Sequence, residues 1–227
     1  MAKKKKNSNY VTEKTIEAKR KQLEEKRRKR KKQIIFAVII PVLSLLLIAG
    51  AVLGIAYASG AFEYTPEVTY HAAIEIENYG TLHVELYGND APITVNNFIR
   101  LAGTGYFDGT SFHKIIDNLM YAGTLNAGRL DGIKGEFSEN GVENKISHIR
   151  GTLSMSRSSD FDTAYSQFFV VRKTDRSLDG SYAAFGRITD GMDIIDKIYS
   201  DASVSETGEV DAASAAKIKS ITLHASH

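Results

Sequence analysis

The spacing of apolar and polar residues changes several times along the 227 residues, and each change predicts an element. His71 to Glu77 and Thr81 to Tyr87 alternate apolar and polar positions around Asn78-Tyr79-Gly80. Period two on both sides of a turn signal predicts a β-hairpin. From Pro92 to Ala102 the apolar residues Val95, Phe98, Ile99 and Ala102 fall on one helical face, and Gly103 and Gly105 end the run. Two short runs follow, Phe112 to Ile116 and Leu119 to Ala122, joined at Asp117-Asn118. Asp and Asn bond their own backbone and tolerate left-handed conformations, so the two runs read as strands bent at a turn. Thr124 to Ser147 is glycine-rich and polar, a long connection with little regular structure. Gly151 to Ser156, Gln167 to Val171 and Ala183 to Ile188 read as buried strands. A second helix is predicted from Asp190 to Tyr199, with Met192, Ile195 and Ile198/Tyr199 on one side. A loop, Asp201 to Ala216, leads to a closing strand from Lys217 to His224. The pattern predicts a mainly-β domain over residues 70–227: a closed antiparallel barrel, which removes vulnerable sheet edges, capped by two helices.

The N-terminal third follows different rules. Residues 1–33 form a charged, partly helical tail. Ile34 to Tyr57 is apolar, with no charged residue between Gln33 and Phe62. As a helix it would be roughly 36 Å long, enough to cross a hydrocarbon core of about 30 Å. A transmembrane helix over 34–57, a linker over 58–69 and the domain beyond it are therefore expected. A signal peptide cleaved at Ala56-Tyr57-Ala58 is the competing reading. The length of the apolar run and of the charged region before it favours a retained anchor.

Charge sharpens the division. Residues 1–33 hold 15 of the 29 Lys/Arg and 4 of the 27 Asp/Glu, a net of +11. The remainder has 14 basic and 23 acidic residues, a net of −9. The run Lys26 to Lys32 abuts the apolar segment. It places the N-terminus in the cytoplasm and the domain outside the cell membrane. At about 1 kcal/mol per basic residue, it would also hold the tail on anionic lipid headgroups. No aromatic residue interleaves the run, so nucleic acid is not an expected partner. The chain has no cysteine, which excludes disulfides, thiolate nucleophiles and cysteine-ligated zinc. Its six histidines are scattered without metal-ligand spacing, and neither a P-loop nor a G-x-S-x-G motif is present.

Local sequences carry the reading further. They are Ala91-Pro92-Ile93-Thr94-Val95-Asn96-Asn97-Phe98, Gly105-Tyr106-Phe107-Asp108-Gly109-Thr110-Ser111-Phe112-His113 and Gly151-Thr152-Leu153-Ser154-Met155-Ser156-Arg157. Ser166-Gln167-Phe168-Phe169-Val170, Leu178-Asp179-Gly180 and Phe185-Gly186-Arg187-Ile188 follow. In this order they resemble the cyclophilin family of peptidyl-prolyl cis-trans isomerases. Ile133-Lys134-Gly135-Glu136-Phe137 and Ser154 to Arg157 look most like bacterial members. The resemblance implies an eight-stranded antiparallel barrel, action on proline-containing polypeptides, and no cofactor or metal. It also implies a substrate groove of Leu119, Met120, Ala122, Ser156, Arg157, Gln167, Phe169, Leu178 and Tyr182, with His113 beside the catalytic position.

The departures bear on activity. Where the family has its catalytic arginine, this chain has Lys114. Arginine presents a planar fork of donors, whereas lysine presents one compact charge on a flexible stem. A second pocket glutamine is Ala122, the tryptophan position is Ser177 and a common histidine is Tyr182. Two readings follow: a slow isomerase assisting the folding of secreted or cell-surface proteins, or a peptide-binding module with weak or no turnover. Arg157 is a further candidate for supplying the missing guanidinium.

Overall fold

The computed structural model describes residues 20–21, 23–29, 69–123 and 131–226. The chain divides into two units, Met1–Ala61 and Phe62–His227. In the first, residues 20–21 and 23–29 are helical, and Lys29 pairs with Glu25 one turn earlier at 2.9 Å. The expected transmembrane segment, 34–57, lies outside the described residues. No helix among the described residues is long and apolar enough to cross a membrane.

The second unit is built on eight antiparallel strands. β1 (Thr69–Ile76) and β2 (Gly80–Leu86) form the first hairpin, with Ile76 opposite Gly80. Asn78 takes a left-handed φ of 65° at the turn the sequence predicted. α1 (Pro92–Gly103) follows, then β3 (Lys114–Ile116), β4 (Leu119–Ala122), β5 (Thr152–Met155) and β6 (Phe168–Val171). β7 (Ala184–Asp190), α2 (Met192–Asp201) and β8 (Ile218–Ser226) complete the unit. All four residues expected on the inner face of α1, namely Val95, Phe98, Ile99 and Ala102, are buried. Phe98 sits at the centre of an aromatic cluster, with ring centroids 5.3 Å from Phe107, 5.7 Å from Phe168 and 5.2 Å from Phe185.

The N-terminus of α1 is held from a distance. Ala91 offers no side-chain cap. Instead Glu136, 2% exposed, accepts the backbone N–H of Ile93 at 2.9 Å on Oε1 and that of Thr94 at 2.7 Å on Oε2. A carboxylate satisfying two first-turn donors also complements the helix dipole. Among the described residues of the connection that carries Glu136, 131–147, there is one short 3₁₀ turn, Ser138–Asn140.

Closure of the barrel is corrected. The strand order is β3-β4-β6-β5-β7-β2-β1-β8, and the two end strands share no ladder. A single bridge, Ser111 to Lys217, joins the segments just before them. Beyond it, the free edge of β3 is taken by the loop before β8. Ile115 N–H donates to Gly208 O at 2.7 Å, and Val210 N–H donates to His113 O at 2.9 Å. β3 has only three residues, so once the loop occupies its edge nothing remains for β8 to pair with. The result is an open half-barrel whose exposed edge is covered by a loop.

Candidate functional site

The turn between β3 and β4 decides which side chains share a face. Asp117 has φ 51°, and the two-residue turn pairs Ile116 with Leu119, Ile115 with Met120 and Lys114 with Tyr121. Side chains alternate along a strand, so this register puts Ile115, Met120 and Ala122 on one face and Lys114 and Tyr121 on the other. The first face is the core: Met120 and Ala122 are 0% exposed there, with Phe112 and Phe168.

The opposite face carries a row of paired residues. Tyr121 pairs with Lys114 on β3 and with Phe169 on β6, and Phe169 pairs with Ser154 on β5. Phe169 is 0% exposed although it lies outside the core cluster. Tyr121 covers it at 5.5 Å between centroids and Tyr182 at 5.6 Å, nearly perpendicular. His148 stacks on it at 6.1 Å, with the ring planes 22° apart. Burial, then the neighbouring Tyr182 phenol and Asp117, raise the Tyr121 pKa above its ordinary value of 10.0. Tyr121 therefore stays a hydrogen-bond donor at neutral pH.

Beneath the row, His148 Nδ1 lies 2.9 Å from Asp179 Oδ1 and Nε2 lies 3.0 Å from Ser154 Oγ. The carboxylate accepts a hydrogen bond from Nδ1–H, so Nε2 accepts from the Ser154 hydroxyl. Desolvation lowers the His148 pKa, against the pull of Asp179, and the ring is neutral at pH 7. Burial acts to raise the Asp179 pKa and is outweighed by the two hydrogen bonds from His148, so the net shift is downward. These three residues have the order of a nucleophilic triad, but Ser154 and His148 are both 0% exposed. No substrate reaches the hydroxyl, and the network supports the ring of Phe169 from below.

Beside the row, His113 Nδ1 donates to Ser111 O at 3.1 Å, and Gln167 Nε2 donates to His113 Nε2 at 2.6 Å. One half of the Gln167 amide is thus committed to His113. Ser156 N–H donates to Gln167 O at 2.9 Å, tying the two segments together. Lys114 Nζ lies 3.1 Å from Glu209 Oε1. Leu119 and Leu178 are half-buried, Leu119 opposite Val171 and Leu178 at the end of the 3₁₀ turn Arg176–Leu178.

Arg157 is held by backbone carbonyls and aromatic rings. Its Nε donates to Ser181 O at 3.0 Å and its Nη1 to Ser158 O at 2.9 Å. The guanidinium lies 4.8 Å from the ring centre of Tyr182, 5.0 Å from Phe161 and 5.1 Å from Phe137. Held by carbonyls and aromatic faces, it orders the wall that includes Tyr182.

Sequence reasoning missed Tyr121, the Ser154–His148–Asp179 network and Glu209. Tyr121 had a usable signal, because a two-residue turn at Asp117-Asn118 places it opposite Lys114 by counting. The other two depend on the pairings His148–Asp179 and Lys114–Glu209, 31 and 95 residues apart, which no local pattern encodes.

An apolar aromatic row with one cation at its end and one amide at its side thus lies on one face of the open antiparallel half-barrel. Residues 71–223 match the cyclophilin type peptidyl-prolyl cis-trans isomerase/CLD family. A peptidyl-prolyl cis-trans isomerase of Acinetobacter baylyi is 36% identical over 127 residues, covering 53% of this chain and 68% of the relative. Peptidyl-prolyl cis-trans isomerase B of Escherichia coli is 31% identical over 140 residues, covering 58% and 82%. A Cryptosporidium parvum cyclophilin crystallised in the presence of the dipeptide Ala-Pro superposes with a TM-score of 0.58 at 26% identity, over 68% of this chain and 98% of that one. The chain belongs to the cyclophilin-type peptidyl-prolyl cis-trans isomerase family, and its enzyme class is that of an isomerase.

Proposed function

We propose that the domain interconverts cis and trans X-Pro bonds in extended segments lying along the Lys114–Tyr121–Phe169 row. That row, set beside the His113–Gln167 pair, is the observation that carries the reading. Isomerisation needs no nucleophile; it needs a barrier of about 18–20 kcal/mol lowered by favouring the twisted amide. Phe169, with Tyr121 and Tyr182, supplies an apolar wall for the proline ring once the tyrosines part. Gln167 spends its nitrogen on His113 and offers its amide oxygen to a peptide N–H. Lys114 donates to the carbonyl before proline and favours the twisted form electrostatically. A single ammonium in place of a guanidinium costs roughly 1.5–3 kcal/mol of this stabilisation, a rate about ten- to a hundred-fold lower.

The domain is proposed to act outside the cell membrane, tethered through 34–57, on secreted or cell-surface proteins. The basic tail would rest on anionic headgroups at the cytoplasmic face. Support for this comes from the apolar segment and the charge asymmetry. Protease digestion of intact cells should remove the domain and spare the tail; loss of the tail would refute the orientation.

One observation favours a second reading, a peptide-binding module with little turnover: Lys114 is already engaged by Glu209. Isomerisation of an Ala-Pro peptide by the full chain separates the two. Turnover above the uncatalysed rate supports the first, and binding at the background rate supports the second.

A further inference from the structure

We propose that Glu209 is a positioning residue that fixes the Lys114 ammonium on the peptide-binding face. The inference rests on the reading of Lys114 as the group that polarises the carbonyl before proline.

The loop carrying Glu209 is a small hairpin, with Val204 bridged to Val210 and Ser205 N–H donating to Glu209 O at 2.9 Å. Glu209 itself is bridged to Lys114, and the hydrogen bonds Ile115 to Gly208 and Val210 to His113 lie on either side. The carboxylate backbone is therefore held by β3 itself, one strand-width from the lysine that it contacts. Its Oε1 lies 3.1 Å from Lys114 Nζ, and the two side chains are 51% and 31% exposed.

Lysine has the weakness that arginine lacks. Its four-carbon stem loses up to about 2 kcal/mol of rotamer entropy when it is fixed. A partly exposed ion pair contributes about 0.2–1 kcal/mol, too little to matter for stability. At the upper end of that range it biases a side chain about fivefold towards one position. An ammonium has three N–H donors, so pairing with one carboxylate leaves two for the substrate carbonyl. The pair thus supplies in two residues part of the preorganisation that a planar guanidinium carries in one.

The test is a four-member cycle in the full chain, assayed with an Ala-Pro peptide by exchange spectroscopy to separate kcat from KM. Glu209→Gln keeps the shape and the backbone bonds of the loop. In the Lys114 background it should lower kcat about three- to fivefold with KM within about twofold. In a Lys114→Arg background, where the fork is preorganised, the same change should alter kcat less than about twofold. A rise in kcat on Glu209→Gln would show that the carboxylate quenches the ammonium and would overturn the proposal. An equal fall in both backgrounds would reveal a purely structural role and would also overturn it. Lys114→Ala is read separately: full activity in that variant would refute the assignment of Lys114, whatever Glu209 does.

Discussion

Replacing Glu136 by alanine tests how the domain holds the helix that fills its core. The change removes both acceptors at the start of α1. The Ile93 N–H belongs to a residue 41% exposed, so water can replace the carboxylate there. Thr94 is 0% exposed, and its N–H would be left without a partner. A lost hydrogen bond to a charged group costs about 1.5–3 kcal/mol, and the lost charge–dipole attraction adds about 0.3–1 kcal/mol. The expected loss is therefore about 2–4 kcal/mol. For a domain of this size it lowers the melting temperature by about 4–16 °C. Glu136→Gln keeps the size and one acceptor and should lose about half as much. The assay is urea unfolding of the full chain followed by circular dichroism. A loss below about 1 kcal/mol for Glu136→Ala would refute the claim that a carboxylate 43 residues away caps this helix.

Stability should also depend on pH through His148. Its folded pKa lies below the ordinary 6.5, so between these values the unfolded chain binds more protons. Stability is unaffected at higher pH and falls as pH drops below about 6.5; Asp179, whose pKa is lowered, deepens the fall at still lower pH. A melting temperature that stays level from pH 7 to 5, or a fall unaltered by His148→Gln, would contradict this. The Tyr121 phenol should ionise above the ordinary tyrosine range in an absorbance titration, and Tyr121→Phe should delete that late component; an unchanged titration curve would refute its burial beside Tyr182. Arg157→Lys should lower stability by about 1–3 kcal/mol while leaving Lys114-dependent catalysis in place, because the arginine packs a wall and does not polarise substrate. A collapse of kcat with unchanged stability would assign Arg157 a catalytic role.

Much of this fold was legible locally. The turn at Asn78, the face of α1 and the bend at Asp117-Asn118 each follow from residue types whose preferences act over a few positions. Closure was not legible, because it depends on whether the edge of a three-residue strand meets β8 or a loop. The groove was legible in part. Phe169, Gln167, His113 and Lys114 lie around one face, Met120 and Ala122 pack with the core cluster on the other, and the same strand register sets Tyr121 opposite Lys114 and Phe169. In the sequence Glu136 is legible only within the Ile133–Phe137 stretch that carries the family resemblance, and Glu209 only within the loop Asp201 to Ala216. Their meaning lies in partners 42 and 95 positions away in sequence, where the backbone brings carboxylate and donor together.

The central claim is that one ammonium does the work of a guanidinium on this face. Isomerisation of an Ala-Pro peptide by the full chain, with Lys114 as lysine, alanine and arginine, tests it most directly. The account predicts measurable turnover for the natural chain, a fall of about tenfold or more for Lys114→Ala, and a gain of about ten- to a hundred-fold for Lys114→Arg. Background rates for both the natural chain and Lys114→Arg would contradict it.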